Sequence, residues 1–226
     1  MFKLNICLIL APNSKNNMEY NDKQVQIMET AEVLFAEKGF NGTSVRDIAV
    51  KANVNLAMIS YYFGSKDKLL ESLFSYRGEH IKLKMESMIE NKQMSSFEKM
   101  DLLIDHYMEK IMQQQCFSRI MVREQVLNHT GFITELITQM KKRNQELISK
   151  LIHQGQKKGE FKKNIDIPLM MATLVGTASH MIATQHYYRE INNLQSMSDD
   201  EFQKHIKKKL SQHLKKLFKA ILTNDE

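Results

Sequence analysis

Apolar residues recur along most of this chain at spacings of three and four. Val25, Met28, Ala31, Leu34 and Phe35 lie on one face of a helix expected from about Asp22 to Lys38. Gly39 ends it, Phe40 fills a core position, and Asn41-Gly42 is a turn. Thr43 or Ser44 caps the next helix, with Asp47 placed for a capping box and Val45, Ile48, Ala49 and Ala52 facing inward. Asn53 then supplies a reversal, because asparagine tolerates the left-handed backbone better than most side chains. Asn55 caps a short helix running through Tyr62, and Ser65 caps a fourth whose inner face holds Leu69, Leu70, Leu73 and Phe74.

Later starts carry similar signals. Ser95-x-x-Glu98 and Ser198-x-x-Glu201 are capping boxes, and Asp166 shortly before Pro168 marks another start. Thr130-Gly131 interrupts the chain before a long helix from Phe132 to about Lys158, which Gly159 terminates. There is no internal repeat and no low-complexity linker.

Composition agrees with the pattern. Among 226 residues there are 2 prolines and 8 glycines, and alternating apolar–polar runs are scarce, so the fold class is all-α. A net charge of +6 permits an anionic partner. Between Met18 and Lys66, however, five basic residues face six acidic ones, a net charge of −1. Any nucleic-acid role must therefore rest on local geometry. Cys7 and Cys116 form no C-x-x-C and no metal-ligand or disulfide pattern, and a reducing cytoplasm is the simplest expectation. Residues 1–17 precede the first periodic helix and are expected to be a disordered leader or a mis-called start. No apolar stretch is long enough to cross a bilayer.

The stretch Phe40 to Leu70, FNGTSVRDIAVKANVNLAMISYYFGSKDKLL, resembles the signature of the TetR/AcrR family of transcriptional regulators. An aromatic residue and a turn precede a Thr/Ser pair, Ile-Ala, a second turn, Val, a short helix, Tyr-x-Phe, Ser-Lys and Leu. With the first helix, the match covers about a fifth of the chain. The resemblance implies a helix-turn-helix DNA-binding domain over 18–66 and a helical ligand-binding and dimerisation domain over 67–226. It implies DNA contacts from Thr43, Ser44, Arg46, Asn55, Leu56, Ala57, Met58, Ser60, Tyr61, Tyr62 and Lys66. Thr43 and Ser44 would meet backbone phosphate at a helix start, Arg46 base or phosphate, Tyr62 backbone, and Lys66 phosphate. The pattern departs from many members in having Ser60 where they carry Tyr, and Asn53 and Ala57 where they carry Gly.

The physics of the segment supports the same reading independently. Ile48, Ala49, Val54, Ile59 and Phe63 face inward, leaving an outer face with two tyrosines and few charges. Such a face is odd in water and natural against DNA, where hydroxyls reach phosphates and apolar groups meet thymine methyls.

The remainder of the chain suits small-molecule binding. Its 16 methionines are flexible and polarizable, qualities that suit a pocket for varied apolar ligands, although a plain helical core uses them too. The candidate pocket comprises Met85, Met88, His106, Tyr107, Met121, Gln125, Asn128, Met140 and His180. Histidines are dispersed, with no i, i+4 metal pair, and no phosphate loop, nucleophile elbow or H-E-x-x-H occurs, so neither metal, cofactor nor catalysis is expected. The last helix aligns Phe202, Ile206, Leu210, Leu214, Leu217 and Ile221, flanked by lysines, and a solvated rim beside a dimer seam fits this better than a membrane surface. By the resemblance, the last two helices pair with those of a second copy, and Gly176, Ala178, Ser179 and Ala183 allow close approach.

Taken together, these features describe a repressor that binds a near-palindromic double-stranded operator as a homodimer and is released by a largely apolar small molecule. The rival reading is a small-molecule-binding helical dimer, or an enzyme, with a vestigial DNA-binding module.

Overall fold

The computed structural model describes residues 20–127 and 131–223. The described residues form helices and connecting turns, with no strand. In order the helices are α1 (Asp22–Lys38), α2 (Val45–Lys51), α3 (Leu56–Phe63), α4 (Lys66–Glu90), α5 (Ser96–Gln113), α6 (Gln115–Leu127), α7 (Phe132–Lys157), α8 (Ile167–Ala183), α9 (Gln185–Ile191) and α10 (Asp199–Leu222). Of the expected features, the leader 1–17, Asn128 and Cys7 lie outside the described residues.

Three helix starts are closed by the capping boxes that the sequence marks. Ser44, Ser95 and Ser198 each accept a hydrogen bond from the backbone N–H three residues on, and Asp47, Glu98 and Glu201 return the bond to the cap backbone. These bonds favour the ionised form, so all three carboxyls are held below the usual carboxylate range. A lowered folded-state pKa gives stability that is present above the ordinary carboxylate pKa and lost as pH falls through the folded value. A carbon-detected NMR titration should therefore find these three carboxyls among the last to protonate. A midpoint at or above the ordinary value for any of them would mean that its box is not closed in solution.

By compactness the chain divides into two units. One joins the described residues up to Leu83 with Gln115–Met140; the other joins Lys84–Gln114 with the chain from Lys141 onward. The division is not a single cut in sequence: α6 and the start of α7 belong with α1, α2, α3 and most of α4.

The first unit is built on α1. Its Ile27, Met28, Ala31 and Phe35 are buried against Ile48 and Ala49 of α2, Ile59 and Phe63 of α3, and Leu69, Leu70 and Leu73 of α4. Phe117 and Ile120 of α6 close the core, with the Phe117 ring edge-on to Phe74 at 5.0 Å. A polar tie lies within this apolar core. Arg77 of α4 donates from Nε to Glu32 of α1 at 2.7 Å, and its second terminal nitrogen lies 2.7 Å from the same oxygen. The Phe117 backbone N–H, in the first turn of α6, also bonds to the Glu32 carboxylate. Glu32 thus joins three helices. Arg123 of α6 reaches the last carbonyls of α1, at Glu37 and Lys38, both at 3.4 Å.

In the second unit α10 packs along α5 and α8. Its buried stripe is Phe202, Ile206, Leu210, Leu214, Phe218 and Leu222. The expected stripe turned at its end to Leu217 and Ile221, which are only half-buried. The four-residue step instead continues, because α10 winds gradually across two partner helices rather than following one straight seam. Lys99 of α5 caps the end of α4 through the Ile89 carbonyl at 2.6 Å. The Tyr107 hydroxyl bonds to Ser179, linking α5 to α8, and burial pushes its pKa up. A break at Gln114 separates α5 from α6, and another at Thr184 separates α8 from α9. Neither carries a Gly or Pro, and neither was signalled by sequence.

Candidate nucleic-acid interface

The helix-turn-helix is held by backbone bonds and by α1. Ala52 donates to Ile48 at 2.8 Å and Val54 to Ala49 at 3.0 Å, so the chain reverses within three residues. Asn53 takes up the reversal at φ 51, the left-handed conformation expected of it. From α1, Gln26 donates its side-chain amide to the Ala52 carbonyl at 2.9 Å and so fixes the turn. Gly64, at φ 75, makes the corner into α4.

With Ile59 and Phe63 buried, the rest of α3 turns outward. Leu56, Ala57, Ser60 and Tyr61 are exposed, and Met58 and Tyr62 are half-buried. Tyr61 is 83% exposed, while the Tyr62 ring packs against it at 5.2 Å and rests on the core. Asn55 uses its side-chain oxygen to cap α3, accepting from Ala57 N–H at 2.9 Å. Arg46 projects from the exposed side of α2. Val50, which the sequence did not single out, is 82% exposed at the end of α2; its only sequence signal was an apolar residue off the inner face.

Two residues expected on phosphate are engaged inside. Thr43 is buried, and its hydroxyl donates to the Gly39 carbonyl at 2.8 Å and lies 3.2 Å from that of Leu34. Its side chain locks the α1–α2 turn, and only its neighbour Ser44, exposed at the α2 start, stands at the surface. The Lys66 ammonium donates to the carbonyls of Phe40 and Thr43, at 2.9 and 3.0 Å, and sits 4.2 Å above the Phe40 ring. Two of its three N–H groups are therefore spent on the same turn. We expect Lys66→Ala to lower thermal stability by about 1–3 kcal/mol through these lost bonds. The slope of log K against log salt for DNA should then shrink by less than the roughly one unit of a direct phosphate contact. A full unit of slope with unchanged stability would return Lys66 to the phosphates.

The pocket candidates fall into both units. Met121 and Met140 pack against the first unit's core, and Gln125 bonds to the Met121 carbonyl of its own helix at 2.6 Å. Met85, Met88, His106 and Tyr107 lie in the second unit, where Met85 is buried and the other three are half-buried. His180 faces outward on α8, so it lines no interior of its own unit. Among the described residues, no group of three His, Cys, Asp or Glu side chains could hold a metal ion.

The arrangement matches a known family. The model for bacterial regulatory proteins of the tetR family matches residues 27–73, which span the described helix-turn-helix. The model for the tetracyclin repressor-like C-terminal domain matches residues 97–212, just over half of the chain. The chain belongs to the TetR family.

Relatives within the TetR family include the probable HTH-type transcriptional regulator YttP of Bacillus subtilis, 33% identical over 137 residues. That alignment covers 60% of this chain and 66% of the relative, just under two thirds of its length. The fatty acid metabolism regulator protein of B. subtilis is 25% identical over 162 residues, 72% of this chain and 82% of that one. Among solved structures, the transcriptional regulator FadR from B. subtilis, in complex with stearoyl-CoA, superposes with a TM-score of 0.65 at 21% identity, covering 89% of this chain and 99% of that one. The ketosteroid transcriptional regulator KstR2 of Mycobacterium tuberculosis does so at 0.66 and 19%, covering 92% and 98%. These superpositions show the TetR fold over nearly the whole chain.

Proposed function

We propose that this protein is a ligand-responsive repressor that binds operator duplex through α2 and α3. The outward face of α3 carries the reading: it is uncharged, bears the exposed Tyr61 with the half-buried Tyr62 beside it, and is mounted on a core that fixes its angle to α2. Residues 18–66 form the DNA-binding part and 67–226 the effector and dimerisation part. The protein acts in the cytoplasm as a homodimer, because two reading heads about 34–36 Å apart are needed to meet successive major grooves on one side of a duplex. The outer side of α8 suits the dimer seam. Leu169 and Val175 are exposed there, and a side chain at Gly176 would meet open space within its own chain.

The effector is a largely apolar small molecule, received by the methionine-rich helices, with Met85, Met88, His106 and Tyr107 the first residues to test. Relatives named for fatty acid metabolism and for a ketosteroid support an apolar class of effector. Helix α4 is the natural transmitter. It begins at Lys66 against the α1–α2 turn and ends beyond Met85 and Met88, and a packed helix moves as a rigid body.

The test is fluorescence anisotropy of duplexes from the promoter of the protein's own operon, with and without candidate acyl and steroid ligands. Saturable, competitor-resistant binding is expected, weakened by one ligand class. Coupling is reciprocal, so that ligand must itself bind less tightly when operator is present. Specific DNA binding with equal ligand affinity in both states would leave a constitutive DNA binder. No specific DNA binding would revive the vestigial-module reading.

A further inference from the structure

The composition of the reading face narrows what it can read. Helix α3 has no charged residue, and its outward side chains are Leu56, Ala57, Ser60 and Tyr61. Specific hydrogen-bond readout in the major groove normally uses two-pronged side chains: Arg or Lys on guanine, Asn or Gln on adenine, with Asp or Glu accepting from cytosine. None of these types occurs within α3. Asn55, at its start, engages its amide oxygen in the α3 cap, so a two-pronged grip on adenine would have to share that oxygen with the cap. Apolar surface continues on the neighbouring helix at Val50. The base-edge feature that an apolar side chain recognises in the major groove is the thymine methyl.

We infer that α3 reads thymine methyls, with Leu56 and Ala57 as the specificity-determining contacts and the Tyr61 ring beside them. The half-site is therefore dominated by A·T pairs where α3 lies. The two-pronged cation on these two helices is Arg46, for which no internal partner is found among the described residues, so a guanine read by these two helices falls to α2. Lys51 of α2, by contrast, lies 3.6 Å from Glu37. Recognition follows from the N-terminal residues of a reading helix being those that approach base edges, and these are the exposed Leu56 and Ala57. The inference rests on the operator-binding reading above.

Its test begins by selecting bound duplexes from a random-sequence library with the full chain. Each thymine of the selected half-site is then replaced singly by deoxyuridine, which removes the methyl and keeps the pairing. Two or three adjacent replacements should each weaken binding about fourfold, the transfer cost of one methyl-sized group. At least one of these losses should vanish in Leu56→Ala or Ala57→Gly, both exposed positions whose variants are checked for wild-type melting. Failure to enrich any duplex would sink the operator-binding reading itself. An enriched operator with G·C pairs under α3, or with thymines that tolerate uracil, would overturn the methyl readout while leaving operator binding intact. A uracil penalty that persists unchanged in both variants would assign it to DNA shape and equally overturn the inference.

Discussion

Arg77→Met is expected to cost about 3–5 kcal/mol, the usual effect of removing one partner of a buried ion pair. Arg77 and Glu32 are 9% and 4% exposed, so neither charge has water to fall back on. Burial already pushes the Glu32 pKa up against the pull of Arg77. Without the guanidinium the carboxylate must either stay charged and unpaired in an apolar core or take up a proton, which weakens its bond from the Phe117 N–H at the start of α6. The loss should appear as a lowered urea midpoint. Replacing both partners, Glu32→Leu with Arg77→Met, should recover much of the stability, because a well-packed apolar pair is often no worse than a buried ion pair. A single substitution costing under about 1 kcal/mol would mean that the three-helix tie contributes little.

Ala57→Glu is expected to abolish operator binding, by more than about a hundredfold, without loss of stability. Ala57 is exposed in the first turn of α3. A carboxylate there sits favourably at a helix N-terminus, worth about 0.3–1 kcal/mol. On DNA it would face phosphate oxygens and bases that offer it little, and like-charge juxtaposition costs several kcal/mol, with each 1.4 kcal/mol being tenfold. In a dimer the cost is incurred twice. Anisotropy against a selected operator and thermal melting of the free protein measure the two effects separately. Wild-type affinity in Ala57→Glu would remove α3 from the major groove.

Much of the candidate site was legible in the chain because it is local. Ser44, Asn53 and Asn55 act through bonds to residues two to four positions away, and the alternation of Ile59 and Phe63 with outward neighbours follows from helical period alone. Thr43 and Lys66 were not legible in the same way. Their types and positions suited phosphate, but their bonds reach Leu34, Gly39, Phe40 and Thr43 across a turn whose packing no spacing reveals. Glu32 did leave a trace in sequence, as a carboxylate one turn beyond Met28 on the apolar side of α1; its partner Arg77 is 45 residues away and could not be paired with it.

The sequence by itself determined the all-α class, the capped helix starts at Ser44, Asn55, Ser95, Asp166 and Ser198, the left-handed turn at Asn53 and the outward face of α3, since each depends on capping chemistry or period within a few residues. Tertiary structure alone decided that α6 packs with α1 rather than with its sequence neighbour α5, that a buried ion pair ties α1, α4 and α6, and that the pocket candidates fall into two units. These are outcomes of which apolar faces meet. An apolar stripe specifies that a face will be buried but not against what, because the hydrophobic effect is non-directional and only complementary packing chooses the partner.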